Sequence, residues 1–545
     1  MQIEFVSIKQ FRNLTDFKIT LDTKYPKTVL VGQNASGKSN FLEAIVLIFK
    51  FLDFDFKKPL HDELTLGFAI KYRCYNNSIH IEYLPKGRKK WSLIVNKKSI
   101  DQEFFIENKD QFLPRYILAY YSGLGNSNRL EEHFEDHKEK FAKAVLRSTN
   151  LNLPEYPRMQ YAELIHSQFS LFSFFIENDP ELKKFLKEYL FVEDIQSTLL
   201  TIRQPDWSRS SDRNEKFWGS HGVVRALLDY LYDNVAIAPL RHTVDSKSAL
   251  WKKEKKKVET LYLYFSDFRK IADFVKKNKW SSFDFFHILN TANVSRLILN
   301  DGIKIRVKKK FASKISFRDL SEGEQQLLTV LGLMRFTSGE ETLFLLDEPD
   351  THLNPYWRWK YLDFIDEIVF KKGKSQTKKD NTADSHVIMT SHDAITIGSL
   401  NRDAVRIFET NSQTGVIETS IPNEDPKGMG VAGILTEIFH LRTTLDEKTF
   451  DQLERRRQLE SMKYNGIELT DAQSVELKEL NDTLDLLGFS RVTRDPLYQK
   501  FQARYDAAME YKRSTRQPLS KEQVEQQKQV IDDILKKMIE EEAKL

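Results

Sequence analysis

The sequence predicts an α/β fold: a mixed sheet with a parallel core around a phosphate loop, an antiparallel subdomain, a helical insertion and a helical C-terminal region. Three observations predict it. A glycine-rich loop, Gly32–Ser39, joins a short apolar run to an apolar helical stretch. Far downstream, the apolar run Thr342–Leu346 ends in the acid pair Asp347-Glu348, and Val387–Thr390 ends at Ser391-His392-Asp393. Short apolar runs bounded by turn residues read as buried parallel strands. Residues 64–95 instead alternate in short runs (Leu64–Tyr72, Ile79–Tyr83, Trp91–Val95), which reads as antiparallel sheet.

Taken in order, Ile3, Phe5 and Ile8 mark a first strand and Phe17, Ile19 and Leu21 a second. Val29–Val31 is a third, leading into Gly32-Gln33-Asn34-Ala35-Ser36-Gly37-Lys38-Ser39 and the helix Asn40–Phe49. This is GxxxxGKS between strand and helix, the context a phosphate loop requires. Glycines let backbone N–H groups turn around phosphate oxygens, and the helix N-terminus adds its positive end. Gly32, Asn34, Ser36, Gly37, Lys38, Ser39 and Asn40 are therefore candidate nucleotide-binding residues. Lys38 would reach the β/γ-phosphates and the Ser39 hydroxyl would ligate Mg²⁺. A chance glycine-rich turn is the bland alternative, and the flanking strand and helix weigh against it.

Tyr116–Tyr121 reads as another buried strand, and the pattern from about Leu130 to Lys279 turns helical and aromatic, as in Phe169–Phe175 and Val223–Leu231. Three basic runs lie at its end or just beyond it, Lys252–Lys257, Lys276–Lys279 and Arg306–Lys310. Solvated faces are their default reading, a nucleic-acid groove the rival. Asn300-Asp301-Gly302 predicts a hairpin turn. Leu320–Gln326 is a polar turn opening an apolar helix, and Trp357–Val369 is an amphipathic helix before a basic polar loop, Lys371–Asp380. Two carboxylates where a buried strand emerges can hold a metal and activate water, which assigns Asp347 to the metal and Glu348 to the water. His392, leaving the next core strand, is placed for a phosphate contact, although a lone histidine is more often structural. Beyond residue 421, Thr470-Asp471-Ala472-Gln473 and Ser520-Lys521-Glu522-Gln523 are capping boxes. They open amphipathic helices bearing Leu477, Leu480, Leu484 and Leu487, closed by Gly488, and Val524, Ile531, Leu535 and Met538. Packing on their own domain and docking of a second copy or another protein both remain open.

The 545 residues suffice for two or three structural units. With 40% hydrophobic and 30% charged residues, the composition is that of a globular protein. A net charge of +4, from 83 basic and 79 acidic residues, does not by itself argue for a nucleic-acid partner. The single cysteine, Cys74, excludes an intrachain disulfide and a cysteine-rich zinc site. The opening residues read as a strand rather than a signal peptide, and no apolar run approaches the ~18 residues of a membrane span. Cytoplasmic location with no membrane partner is the expectation.

The set GQNASGKS, LSEGEQQ, LLDEPD, THLNP and SHD, with Phe11-Arg12-Asn13 after the first strand, resembles the ATPase head of the ABC superfamily in its RecF/SMC/OLD-like branch. The resemblance implies an ABC/SMC-like head that binds and hydrolyses ATP with Mg²⁺. It adds Arg12 to the nucleotide-binding set, makes Glu348 and His392 catalytic, and assigns Ser39 and Asp347 to the metal. It also implies that Ser321, Gly323 and Glu324 close over ATP held by a second protomer, with Asp350 coupling the two sites. One phosphate loop and one such turn per chain imply a head-to-tail homodimer around two ATP molecules. Two departures stand out: Glu322 occupies a position where many ABC proteins have glycine, and no Q-loop glutamine lies near Tyr120–Gly123.

Secondary motifs narrow the likeness. Tyr120-Tyr121-Ser122-Gly123, Arg129-Leu130, Phe217-Trp218-Gly219 and Gly428-Met429-Gly430-Val431 are similar to the Septu anti-phage ATPases of the PtuA type, including retron-associated forms. That likeness implies an HNH-type nuclease partner and, in retrons, a reverse transcriptase with its RNA–DNA hybrid. The alternatives are a RecF-like DNA-repair ATPase and a self-contained OLD-type nuclease. No Asp-x-Asp pair follows Pro422 and His440 is the only histidine after His392, which disfavours the last. The interval from Ser39 to Ser321 is too long for a transporter subunit and too short for SMC arms. The expected organisation is an N-terminal head lobe at 1–129, a mainly helical insertion at 130–295, a C-terminal head lobe at 296–420 and a helical partner-docking region at 421–545.

Overall fold

The computed structural model describes residues 1–542 except 59, 86–89, 124–128, 148–151, 178, 209–214, 248–254, 311, 339, 371–384, 412–413, 490–500 and most of 502–520. The basic loop at 371–380, the Ser520 capping box and the segment after Gly123 where a Q-loop was sought lie wholly or partly outside the described residues.

Three sheets carry the fold. The first is antiparallel, ordered β2 (Leu14–Thr20), β1 (Gln2–Phe11), β4 (Phe68–Cys74), β5 (Asn77–Tyr83), β6 (Trp91–Val95) and β7 (Lys98–Ile100). The second has seven strands, ordered β18 (Ile417–Ser420), β17 (Val405–Thr410), β3 (Lys27–Gly32), β16 (Ser385–Thr390), β15 (Thr342–Asp347), β8 (Tyr116–Tyr121) and β9 (Met159–Tyr161). All its pairings from β17 to β9 are parallel. The third is antiparallel, ordered β11 (Leu240–Lys247), β12 (Lys255–Phe265), β10 (Val192–Arg203), β13 (Ile298–Lys309) and β14 (Ala312–Ser316).

The seven-stranded sheet is buried on both faces, as a parallel sheet must be. Successive side chains point to opposite faces. Leu343, Leu345, Ile388 and Leu30 therefore join the core shared with the helix Lys38–Asp53 and the first sheet. Phe344, Leu346, Val387 and Val31 join the core shared with the helices Ile165–Ile176 and Glu322–Thr337. The acid-tipped strand, the histidine strand and the phosphate-loop strand are thus neighbours with their C-terminal ends level.

Two expectations are corrected. Residues 130–295 are not simply a helical insertion. Beside their helices they supply β9 to the central sheet and β10, β11 and β12 to the third. Strand alternation in β10 is interrupted by register shifts, which blur its period-two signal. The second correction concerns Asn300-Asp301-Gly302, which forms no hairpin: β13 runs through it. Its register against β10 jumps from Leu200↔Ile303 to Ile202↔Ile298, so the turn-forming residues make a bulge within one strand. Of the C-terminal helices, Asp471–Leu486 starts at the expected Thr470–Gln473 capping box. In Lys521–Glu542, Ile534 and Met538 are buried among the described side chains, while Leu535 stays exposed. No helix among the described residues is long and apolar enough to cross a membrane.

The helix that begins at the phosphate loop ends in an ion cluster. Asp53 is buried and accepts from His137 Nε2 at 2.9 Å and Arg158 Nε at 2.8 Å. Burial would raise its carboxyl, but the His137 hydrogen bond and the Arg158 charge outweigh it and hold the group at about 2. Because the folded value is depressed, the cluster's stabilisation is complete above the ordinary value of 3.8 and is lost as pH falls toward 2. Asp53→Asn should cost about 3 kcal/mol. A denaturation series should show its lower midpoint at neutral pH and a flatter loss of stability than the parent between pH 3.8 and about 2.

Candidate active site

Internal contacts shape the phosphate loop. Gly37 caps the helix with φ 90°, a left-handed conformation that glycine adopts without strain. Lys38 is buried and its Nζ donates to the carbonyls of Gly32 (2.9 Å) and Gln33 (2.9 Å) and to Ser36 Oγ (3.2 Å). Burial pushes its ammonium down to about 8, with the carboxylates of Glu348 and Asp347 pulling the other way. Asn40 donates to Asn13 Oδ1 at 2.7 Å, and Asn13 Nδ2 donates to the Ala35 carbonyl at 2.7 Å. Asn13, from the turn after β1, thus braces the loop. It stood in the quoted Phe11-Arg12-Asn13 motif but was given no role.

Ser39 and Asp347 are brought together: Ser39 Oγ donates to Asp347 Oδ1 at 3.1 Å. Asp347 is buried, and burial raises its carboxyl against the opposing hydrogen bonds from Thr390 and Ser39. Thr390 is the residue that sequence reasoning missed. Its hydroxyl donates to Asp347 Oδ1 at 2.6 Å and accepts from the Glu348 backbone N–H at 2.9 Å, so one side chain positions both acids. The available signal was a hydroxyl at the last position of a core strand, next to Ser391-His392. One hydroxyl and one carboxylate, with phosphate oxygens and water completing the shell, is a donor set that suits Mg²⁺.

Glu348 is only partly buried and has φ 51°, which turns its side chain out of the strand line. His392 Nε2 lies 3.0 Å from Glu348 Oε1, and this hydrogen bond is the main cause holding the carboxyl below its ordinary value. The two candidate catalytic groups therefore stand together. Asp350 is buried and accepts from Ser391 Oγ at 2.6 Å, with burial raising its carboxyl.

The Leu320–Gln326 turn packs against the segment that follows the acid pair. Ser321 caps the helix Glu322–Thr337 in a capping box with Glu324 and remains exposed. Gly323 is buried, and a side chain there would lie 2.7 Å from the His352 carbonyl, so close packing on that turn demands glycine. Glu324, expected to face a second protomer's ATP, is turned inward: it accepts from the Ser321 backbone and pairs with Lys309. It therefore positions the serine. Arg12 likewise departs from the expected role, since its guanidinium pairs with Glu43 at 2.6 Å and lies over Phe11 rather than on the loop. Glu322, at the position where glycine is usual, is paired with His352 at 3.3 Å.

If Thr390 aligns Asp347 and Glu348, Thr390→Val should leave nucleotide binding within a few-fold. It should raise the Mg²⁺ concentration for half-maximal turnover, or lower turnover, by about 10–100-fold. A Mg²⁺ titration of phosphate release reads this directly.

The family described as "AAA domain, putative AbiEii toxin, Type IV TA system" matches residues 27–397, a span holding Lys38, Ser39, Asp347, Glu348, Thr390 and His392. Over 48 residues the chain is 48% identical to the DNA replication and repair protein RecF of Synechococcus sp. (strain JA-2-3B'a(2-13)), covering 9% of this chain and 12% of that protein. The same protein of Nostoc punctiforme (strain ATCC 29133 / PCC 73102) is 46% identical over 48 residues, with the same shares covered. The chain thus matches 12% of the length of these curated relatives. Among solved structures, an SMC head bound to the C-winged helix domain of ScpA is 14% identical with a TM-score of 0.31, covering 77% of this chain and 98% of that one. The SMC head domain from Thermotoga maritima is 11% identical with a TM-score of 0.31, covering 77% and 99%. With the family match spanning more than half of its length, the chain belongs to this AAA-domain family.

Proposed function

We propose that the chain hydrolyses ATP, closes head-to-tail with a second copy around two ATP molecules, and through that cycle controls a separate HNH-type nuclease in a Septu-type, retron-associated anti-phage system. The observation that carries the ATPase reading is the convergence of Lys38, Ser39, Asp347, Glu348 and His392 at adjoining strand ends. Lys38 exchanges loop carbonyls for β/γ-phosphate oxygens. Ser39 and Asp347 hold Mg²⁺, which when bound neutralises charge developing on the phosphates. Glu348, kept ionised, accepts a hydrogen bond from the attacking water and orients it, and His392 holds Glu348 in place until the γ-phosphate arrives. Positioning of this kind supplies most of what phosphoryl transfer needs.

Dimerisation is supported by the exposed Ser321 at a rigidly capped helix start. Among the described residues no hydrogen bond or ion pair joins Ser321–Glu324 to Gly32–Ser39 of the same chain, so this turn is free to serve another copy's nucleotide. The wording of the family description, which includes a type IV TA system, supports a defence setting. The nuclease assignment rests on the Septu likeness of the secondary motifs, as does a reverse transcriptase with its RNA–DNA hybrid. Val475, Leu486 and Ile539 stand exposed on the C-terminal helices and suit the docking of such a partner. The second reading, a RecF-like DNA-repair ATPase, is favoured by the 48-residue match.

Glu348→Gln should stop phosphate release while retaining ATP, so that light scattering after gel filtration finds an ATP-dependent dimer; Lys38→Ala is the non-binding control. Normal turnover in Glu348→Gln would end this assignment. Removing residues 518–545 should release a co-expressed HNH-type nuclease from affinity-purified protein while phosphate release continues at the parental rate. Retention of the nuclease would instead place the docking surface elsewhere.

A further inference from the structure

The third sheet has one face in the core and one in solvent. Leu200, Ile202, Leu261, Leu263, Ile303 and Ile305 point inward and are buried. The alternate positions point outward, and their chemistry is unusual for a solvated face. On β12 this side is covered at Val258 and Thr260, which are buried, and opens toward the strand's end at half-buried Tyr262 and at Tyr264, which is 44% exposed. On β13 they are Lys304 and Arg306, both exposed and neither with an ion-pair partner among the described residues. The register places Leu199 of β10 between Tyr264 and Lys304, and Ser197 opposite Arg306.

The spacing is informative. Strands lie about 4.8 Å apart, so Tyr264 and Lys304, two strands apart in one row, stand about 10 Å from each other. Same-face neighbours along a strand are about 7 Å apart, which applies to the tyrosine pair and to the basic pair alike. The face therefore offers two flat rings in one line and two cations in a second, parallel line. Acids are few and lie at its margins: Glu193 is paired with Lys308 at 3.0 Å, Asp194 accepts from the Ile195 N–H, and Asp301 sits at the bulge.

We infer that the outer face of this sheet binds single-stranded nucleic acid, with bases stacking on Tyr262 and Tyr264 and the backbone phosphates following Lys304 and Arg306. Unpaired bases present flat faces and a charged backbone side by side, which is what the two lines complement. A duplex hides its base faces and would use the cations alone. An acidic peptide would do the same. The inference does not depend on the ATPase or nuclease assignments, because it uses residues outside the site.

Fluorescence anisotropy of the full chain with a labelled oligothymidylate, its duplex, and polyglutamate as competitor tests it. The single strand should bind more tightly than the duplex, and polyglutamate should compete poorly. Tyr262→Ala and Tyr264→Ala should each weaken binding by about tenfold, with Tyr264→Phe close to the parent because stacking survives. Lys304→Glu/Arg306→Glu should weaken binding and flatten its salt dependence. Lys276→Glu/Lys277→Glu, in an exposed basic run on a different element, should change little. No binding at low salt, equal affinity for duplex, or indifference to the tyrosine substitutions in protein that melts like the parent would overturn the inference.

Discussion

The site depends on the register of three parallel strands. β3, β16 and β15 pair so that Thr390 lies beside Leu30 and Leu346 beside Met389. This brings the phosphate loop, the threonine and the acid pair out of the sheet at one level. A slip of one residue in any of them would exchange the two buried faces, which the two cores forbid. The geometry of the candidate site is therefore fixed by apolar packing on both sides of the sheet, and the polar contacts among Ser39, Asp347, Thr390 and Glu348 are made at its edge.

That edge is connected to the helix start at Ser321. Gln326 donates to the Pro349 carbonyl, Glu322 pairs with His352, and the His352 ring reaches the Ser122 carbonyl at 3.2 Å. Ser122 in turn donates its N–H to the Asp347 carbonyl at 3.2 Å. The acid pair, the end of β8 and the exposed turn are thus one hydrogen-bonded unit. With Gly323 packed against the same segment, the turn cannot shift without moving the residues that follow the acids.

Much of this was legible in the sequence where motif and element coincide. The loop from Gly32 to Ser39, the acids Asp347 and Glu348, and His392 all sit at strand ends, where a short apolar run and the residues after it give both structure and chemistry. Thr390 was not legible, because a threonine in a β-strand is ordinary and only the register reveals its two partners. Glu324 was misplaced for a related reason: its carboxylate could cap its own helix or face outward, and local sequence does not decide between them. Asn300-Asp301-Gly302 carried honest turn chemistry, but the pairing of β13 with β10 absorbed it as a bulge. The strands of residues 192–265 were overshadowed by the aromatic helices around them.

Lys38 holds two carbonyls and a hydroxyl of its own loop. A ligand must therefore do more than attract the ammonium; it must outbid three good acceptors within the loop. The quantity that governs recognition is a difference between two sets of hydrogen bonds. The lysine's hold on its own loop thus sets the reference against which any ligand's acceptors at that position are compared.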